Sequence, residues 1–252
     1  MSLRFHEIAE GNHRILNPIT DDKIALLGEI CQLKAGMRQL DLACGKGEML
    51  CRWAQRWDID GIGVDISTVF LAAARQRANE LSVTKRVTFV EADAGRYVTE
   101  ETNAHAFDIV SCIGATWIGG GLTGTLRLMS SALKSGGLLL VGEPYWITPP
   151  PDEAYVSSGI GKDDFTSLIG TLDRCESVGL ELVEMVLASQ DSWDRYAAAQ
   201  WWTVRDWLDH NPNDPDASAI QKWIVRHRRD YLQYRRHYLG WGVFILRSKS
   251  AA

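Results

Sequence analysis

The segment Leu40-Asp-Leu-Ala-Cys-Gly-Lys-Gly-Glu48 decides the reading of the whole chain, because a short apolar run passes there into a glycine turn that opens a helix. Gly45 and Gly47 lack a Cβ, so the backbone can take positive φ and let a ligand come close, while the helix that follows offers N–H groups without intrahelical partners. About twenty residues further on, the next apolar run Gly61-Ile-Gly-Val-Asp65 ends in a carboxylate. At that spacing an acid can accept hydrogen bonds from both hydroxyls of a ribose. The glycine pair and the acid together predict a nucleoside site.

What the turn lacks narrows the nucleoside. A dinucleotide fingerprint asks for a third glycine three residues after the second, where helix and strand pack most closely, and Leu50 holds that position. Glu48 sets a carboxylate where a pyrophosphate would meet the helix start, and no Gly-Lys-Ser/Thr of a phosphate-binding loop occurs in the chain. The turn suits a ligand without phosphates. On the same ground Leu50 argues against a nicotinamide-dependent oxidoreductase.

From Asp41 to Gly47 the turn resembles the first motif of the class I S-adenosylmethionine-dependent methyltransferases, and Asp65 resembles that family's ribose-binding acid. Glu91-Ala-Asp-Ala94, after Val87-Thr-Phe-Val90, is similar to the motif whose acid and following amide face the adenine. Phe107-Asp-Ile-Val-Ser-Cys-Ile-Gly114 resembles the fourth strand and Gly136-Gly-Leu-Leu-Leu-Val-Gly-Glu143 the fifth. Ala43 stands where many members carry another glycine. The resemblance covers about residues 36 to 188 and the last strand. It implies an α/β fold, a doubly wound, mostly parallel seven-stranded Rossmann-like sheet with an antiparallel last strand. It also implies S-adenosyl-L-methionine as cofactor, held by Asp41, Ala43, Cys44, Gly45, Gly47, Asp65, Ile66, Asp93, Ala94, Cys112 and Ile113, with methyl transfer yielding S-adenosylhomocysteine.

Composition is compatible with this and decides little. The 252 residues, 46% of them apolar, suit one α/β domain with a sizeable core, and a net charge of -5 argues against a phosphate-seeking surface. Five cysteines without a Cys-x-x-Cys pair point to a reducing compartment and away from a zinc ribbon. His105, His210, His227 and His237 show no metal-ligand spacing with acids or cysteines, so no metal is expected. The Met-Ser-Leu-Arg-Phe-His start has no apolar leader, and no apolar run nears bilayer-spanning length. The expectation is a cytoplasmic protein without a membrane partner; oligomeric state is open.

Apolar runs alternate with helical patterns along the chain, the signature of a parallel, doubly wound sheet. The expected organisation is a single domain over 1–252. It has an arm and first helix (1–35), a cofactor core (36–188), a helical insertion between strands six and seven (189–239), and a last strand and tail (240–252). Asp21 or Asp22 is expected to cap the first helix, with Ile24, Leu27 and Cys31 on one face, and Asp163 to cap a helix carrying Phe165, Leu168, Ile169 and Leu172. Leu180 to Leu187 reads as the sixth strand and Gly242 to Leu246 as the seventh. Between them two helices, about 193–209 and 216–238, flank the turn Asn211-Pro-Asn-Asp-Pro215.

Methyl transfer needs an acceptor in line behind an activated methyl, a dry site and sometimes a base. Open α/β sheets bind ligands beyond the carboxyl ends of their strands, which points to Cys112–Trp117 and Glu143–Trp146. Glu143 and Tyr145 are candidates to orient an acceptor or take its proton. His13, in an N-terminal segment that in the resembling enzymes folds over the cofactor, is a third candidate. Trp117, Tyr145 and Trp146, with Trp193 and Trp202 of the insertion, are candidate acceptor contacts. Arg226-His-Arg-Arg229 and Arg235-Arg236 are the best case for nucleic acid, but a helix spreads them over more than one face. The fourth strand ends in Ser111-Cys-Ile-Gly114, not in the Asn/Asp-Pro-Pro of enzymes that methylate nucleobase amino groups, so a small organic acceptor is favoured. A protein that binds S-adenosylmethionine for other chemistry or for sensing shares every nucleoside motif, and an RNA or nucleic-acid methyltransferase is a further alternative.

Overall fold

The computed structural model describes residues 2–98 and 104–249. Helices α1 (Leu3–Ala9) and α2 (Asp21–Ile30) precede β1 (Arg38–Leu42). Then follow α3 (Glu48–Trp57), β2 (Asp60–Asp65), α4 (Thr68–Glu80), β3 (Val87–Glu91), the short α5 (Ala94–Tyr97) and β4 (Phe107–Ile113). After a 3₁₀ turn (Thr116–Gly119) come α6 (Leu122–Ala132), β5 (Leu133–Trp146), α7 (Asp152–Ser158), α8 (Leu168–Glu176) and β6 (Leu180–Leu187). Helices α9 (Gln190–His210) and α10 (Ala217–Asp230) form the insertion, which returns through a π turn (Tyr231–Arg235) and a last helical turn to β7 (Leu239–Ser248).

The strands pair in the order β3-β2-β1-β4-β5-β7-β6. Neighbours from β3 through β5 are parallel, and β7 runs antiparallel to both β5 and β6. The central strands carry apolar side chains on both faces because helices cover both. One apolar layer holds Leu40, Leu42, Val110, Val141 and Phe244 with α6 and α8; the other holds Ile109, Leu140, Val243 and Ile245 with α2 and α3. A third, smaller core joins Ala9 of α1 to Val204, Ile220 and Ile224 of the insertion. Five strands therefore end side by side at one edge, and the insertion and the N-terminal segment meet over it.

Sequence expectation and structure differ at several helix starts. The N-terminal segment is itself helical, because the Ser2 hydroxyl accepts from Phe5 N and caps α1. Thr20 is the residue before α2, which leaves Asp21 and Asp22 in the first turn, where their charge complements the helix dipole. Ser167, not Asp163, caps α8 by accepting from Gly170 N. Phe165 consequently stays outside that helix and lies 6.4 Å from the Trp146 ring. Ile169 is exposed. The fifth strand is longer than expected, because β7 pairs with it from Leu139 to Trp146. The second insertion helix stops at Asp230, and the π turn carries the chain to β7.

The glycine turn is tight throughout: Ala43, Gly45 and Gly47 have φ of 56°, 55° and 65°. Only glycine adopts that region without steric cost, and an alanine there loses roughly 1 kcal/mol to contact between its Cβ and the backbone. Ala43→Gly is accordingly expected to raise the unfolding free energy by about 0.5–1 kcal/mol, the relief of strain exceeding the added chain entropy of the unfolded state. Urea denaturation of the two proteins measures it; a lower midpoint for Ala43→Gly contradicts the strain argument.

Candidate functional site

The parallel ladder brings the end of β2 beside the turn after β1, and Asp65 bridges them. Its Oδ2 accepts from Gly45 N at 2.8 Å and its Oδ1 from Ser67 N at 2.8 Å. Each carboxylate oxygen has two acceptor sites, so each keeps one for a further donor. Beneath it Asp41 is buried, taking the Ser111 hydroxyl at 2.6 Å; burial pushes its carboxyl up to about 7. Cys44 lies against Gly63, where a Cβ would stand 2.8 Å from its sulfur, and burial holds its thiol well above the usual range. It is a packing residue. At Gly45 and Gly47 the absent Cβ would meet Leu16 (2.7 Å) and the Phe89 ring (2.6 Å). The glycines are thus required by φ and by protein packing, where the sequence reading expected room for a ligand.

Glu48 opens α3 and is buried at the helix start. Arg52 (2.5 Å), Arg77 (2.7 Å) and Arg14 (3.7 Å) surround it. The end of the helix dipole that would attract a phosphate already faces a carboxylate. This arrangement fits a cofactor whose reacting end bears no phosphate.

The N-terminal segment is fastened over the turn. Lys46 Nζ donates to three carbonyls of that segment, Glu10 (2.7 Å), Gly11 (2.8 Å) and His13 (2.6 Å). Glu7 accepts the Ser67 hydroxyl at 2.6 Å, and Asn17 Nδ2 donates to Ile113 O at 3.2 Å. Glu10 is fully buried, and its Oε1 accepts from Tyr196 Oη (2.5 Å) and Gln200 Nε2 (2.6 Å) of α9. Desolvation, partly offset by those two donors, raises its carboxyl to about 7. His13 Nδ1 lies 3.2 Å from Glu10 Oε2, and its ring sits edge-on to Tyr196. Neither ring nitrogen makes a well-formed hydrogen bond, and burial lowers the His13 pKa. His13 thus sits in the contact between segment and insertion.

Around the same edge, Asp93 caps α5 by accepting from Gly95 N, Ala94 is buried, and Gly95 packs on the Ile118 carbonyl. Cys112 is buried, its thiol pushed up by desolvation, and Ile66 is exposed just beyond Asp65. Past β4 and β5, Glu143 Oε2 accepts from Thr116 Oγ1 at 2.7 Å; burial raises this carboxyl to about 7. Tyr145, on the same face of β5, packs on Gly240, and burial raises its hydroxyl pKa. Trp146 is buried between Tyr155 and Phe165, its indole N–H without a partner.

The remaining aromatic candidates scatter. Trp117 is 72% exposed on the 3₁₀ turn and Trp202 75% exposed on α9, while Trp193 packs against the core layer beside α2. Trp201, Trp207 and Trp223 pack in the small core with α1. In the basic stretch, His227 stacks on Trp223, Arg235 pairs with Asp230 and Arg236 with Asp194. Glu7, Glu10, Lys46, Tyr196 and Gln200 were not singled out by sequence, whereas Ser67, one of the two residues expected to start the helix after Asp65, does cap α4; the Glu10 contacts join residues 186 and 190 positions apart, and no local pattern marks them. Among the described residues no group of His, Cys, Asp and Glu could hold a metal ion, and no helix is long and apolar enough to cross a membrane.

Residues 33–195 match the family model of a methyltransferase domain. Over 245 residues the chain is 44% identical to the uncharacterized protein YjhP of Escherichia coli K12, covering 96% of this chain and 97% of that protein. Two crystal structures are similar along nearly their whole length. A methyltransferase of Geobacter sulfurreducens, solved with S-adenosyl-L-homocysteine, is 44% identical with a TM-score of 0.92, covering 98% of this chain and 99% of that one. One from Thiobacillus denitrificans, also solved with S-adenosyl-L-homocysteine, is 42% identical with a TM-score of 0.91, covering 99% of each.

Because Asp65 satisfies two backbone amides, its removal reaches the fold as well as any ligand. Asp65→Ala is expected to lower the unfolding free energy by about 2–4 kcal/mol, since hydrogen bonds to a charged acceptor contribute roughly 1.5–3 kcal/mol each and the orphaned amides lie in the interior. Urea denaturation without ligand measures it. A loss below about 0.5 kcal/mol would mean that the turn holds itself without the carboxylate.

Proposed function

The chain belongs to the class I S-adenosylmethionine-dependent methyltransferases, and we propose that it methylates a small organic acceptor in the cytoplasm, leaving S-adenosylhomocysteine. The observation that carries the cofactor half is Asp65, pinned beside the glycine turn with one acceptor site free on each oxygen for the two ribose hydroxyls. Asp41, Ala43, Cys44, Gly45 and Gly47 form the floor under the cofactor. Asp93, Ala94 and Ile66 take the adenine side, with Cys112 and Ile113 between. Bound S-adenosylmethionine supplies a methyl group already activated by its sulfonium.

The rest of the work falls to positioning, exclusion of water and one proton. The acceptor lies beyond β4 and β5, on the side of Trp117, Tyr145 and Trp146, whereas Trp193, packed in the core layer beside α2, and Trp202, facing outward on α9, stand apart from it. Glu143 is the group for the proton, because a carboxyl raised to about 7 holds a proton as readily as it gives one at neutral pH. Tyr145 stays protonated and orients the acceptor. His13, tucked against α9, places the N-terminal segment. Five free cysteines support a reducing compartment, and the fourth-strand end without Asn/Asp-Pro-Pro supports an acceptor other than a nucleobase.

Cofactor choice is read from thermal unfolding. S-adenosylmethionine and S-adenosylhomocysteine are each expected to stabilise the protein by about 2.7 kcal/mol at a hundredfold excess over Kd, while NAD and ATP have no effect. Labelled S-adenosylmethionine with metabolite extract then identifies the acceptor; binding without any labelled product would favour a sensing role.

With the acceptor known, kcat should rise through about pH 7 as the Glu143 carboxyl loses its proton and becomes able to accept one. Glu143→Gln should lower kcat roughly a hundredfold and flatten that rise. An unchanged pH profile in Glu143→Gln assigns the proton to another group.

A further inference from the structure

The buried cluster around Glu10 does no work in that reaction, yet it connects two segments that the methyl-transfer reading treats separately. We propose that Glu10, Tyr196 and Gln200 are positioning residues for cofactor binding: through them the insertion holds the N-terminal segment shut over the glycine turn, so that cofactor affinity and order in α9 are coupled. The inference rests on S-adenosylmethionine being the cofactor.

The contacts form one continuous chain. Tyr196 and Gln200 stand four residues apart on α9, hence on one face of the helix, and both donate to the same oxygen of Glu10. Tyr196 Oη also lies 3.1 Å from the Leu16 carbonyl. Leu16 is the side chain that covers Gly45, and the Glu10 carbonyl is one of the three that hold Lys46. From α9 to the glycine turn the path is therefore one carboxylate, one stretch of backbone and one ammonium. On the other side of the turn, Glu7 reaches the Ser67 hydroxyl, whose own amide rests on Asp65.

Burial makes this path exacting. Glu10 is out of water, its second oxygen has no well-formed hydrogen bond, and the charged or titratable groups facing it are His13 of its own segment, Lys46 of the turn and Tyr196 of α9. A buried carboxyl without its donors is strongly unfavourable, so the segment settles only where Tyr196 and Gln200 meet it. A segment free to leave the turn lowers apparent cofactor affinity by the fraction of time it is away. By reciprocity, a cofactor that favours the shut segment must also favour the ordered α9. Order in the insertion would then follow the loading of the enzyme with cofactor.

Titration calorimetry with S-adenosylhomocysteine tests the coupling, with hydrogen exchange of residues 194–204 as a second readout. Glu10→Leu and Tyr196→Phe are each expected to weaken binding on the order of five- to a hundredfold, the range of ordinary coupling between sites. Glu10→Gln, whose amide oxygen can still accept from both donors, should stay within about threefold of the parent. Ligand should slow exchange over residues 194–204 in the parent and in Glu10→Gln, and much less in Tyr196→Phe. If Glu10→Leu does not fold, Tyr196→Phe and Gln200→Leu carry the comparison. The proposal is overturned if folded Tyr196→Phe and Gln200→Leu bind as the parent does, if Glu10→Gln binds as poorly as Glu10→Leu, or if ligand leaves exchange in α9 unchanged. A parent that does not bind S-adenosylhomocysteine at all overturns the cofactor reading instead.

Discussion

Almost everything about this site hangs on a single carboxylate with two backbone amides to satisfy. Asp65 can hold Gly45 N and Ser67 N together only if β1 and β2 are in parallel register and the turn after β1 curls through three residues of positive φ. Once that is met, Lys46 points at the N-terminal segment and Ser67 at Glu7, so the segment has a defined seat. The glycine turn and the anchor of the N-terminal segment are consequences of the same local geometry.

Glu48 illustrates how such a fold chooses among nucleoside ligands. The helix after the glycine turn is the natural place for a phosphate in dinucleotide enzymes, and here it is filled from within by a buried carboxylate and three arginines. An internal acid among fixed cations is held by charge-assisted hydrogen bonds, and a second anion would compete for the same donors. The start of α3 is thus already occupied by its own packing.

The legible part of the chain was the part whose meaning is local. Glycines at fixed offsets, apolar runs and an acid at a strand end depend on neighbours within a few residues, which is why the strands, the place of Asp65 at the end of β2 and the two-helix insertion could be read directly. Helix starts were less secure, because Asp21, Asp22 and Asp163 compete with Thr20 and Ser167 for the same role and only the surrounding packing chooses. The helical N-terminal segment was read only as an arm, since seven residues are too few to declare a period. Contacts between ends of the chain were not legible at all: nothing near Glu10 announces Tyr196, and nothing near Trp202 says that it faces outward while Trp201 faces in.

The insertion leaves β6 at Leu187 and rejoins the sheet in β7, where Gly242 is the ladder partner of that same Leu187 and Ala188 N donates to Trp241 O. Some fifty residues are therefore looped out from two points that the hairpin already holds side by side. The loop-closure entropy of such an excursion grows only slowly with its length, and the sheet order does not depend on what the excursion contains. Helices of different length or sequence can be exchanged there between relatives without rethreading the fold. The seat of the N-terminal segment survives such an exchange provided the incoming helices still offer a hydroxyl and an amide to the carboxyl at position 10.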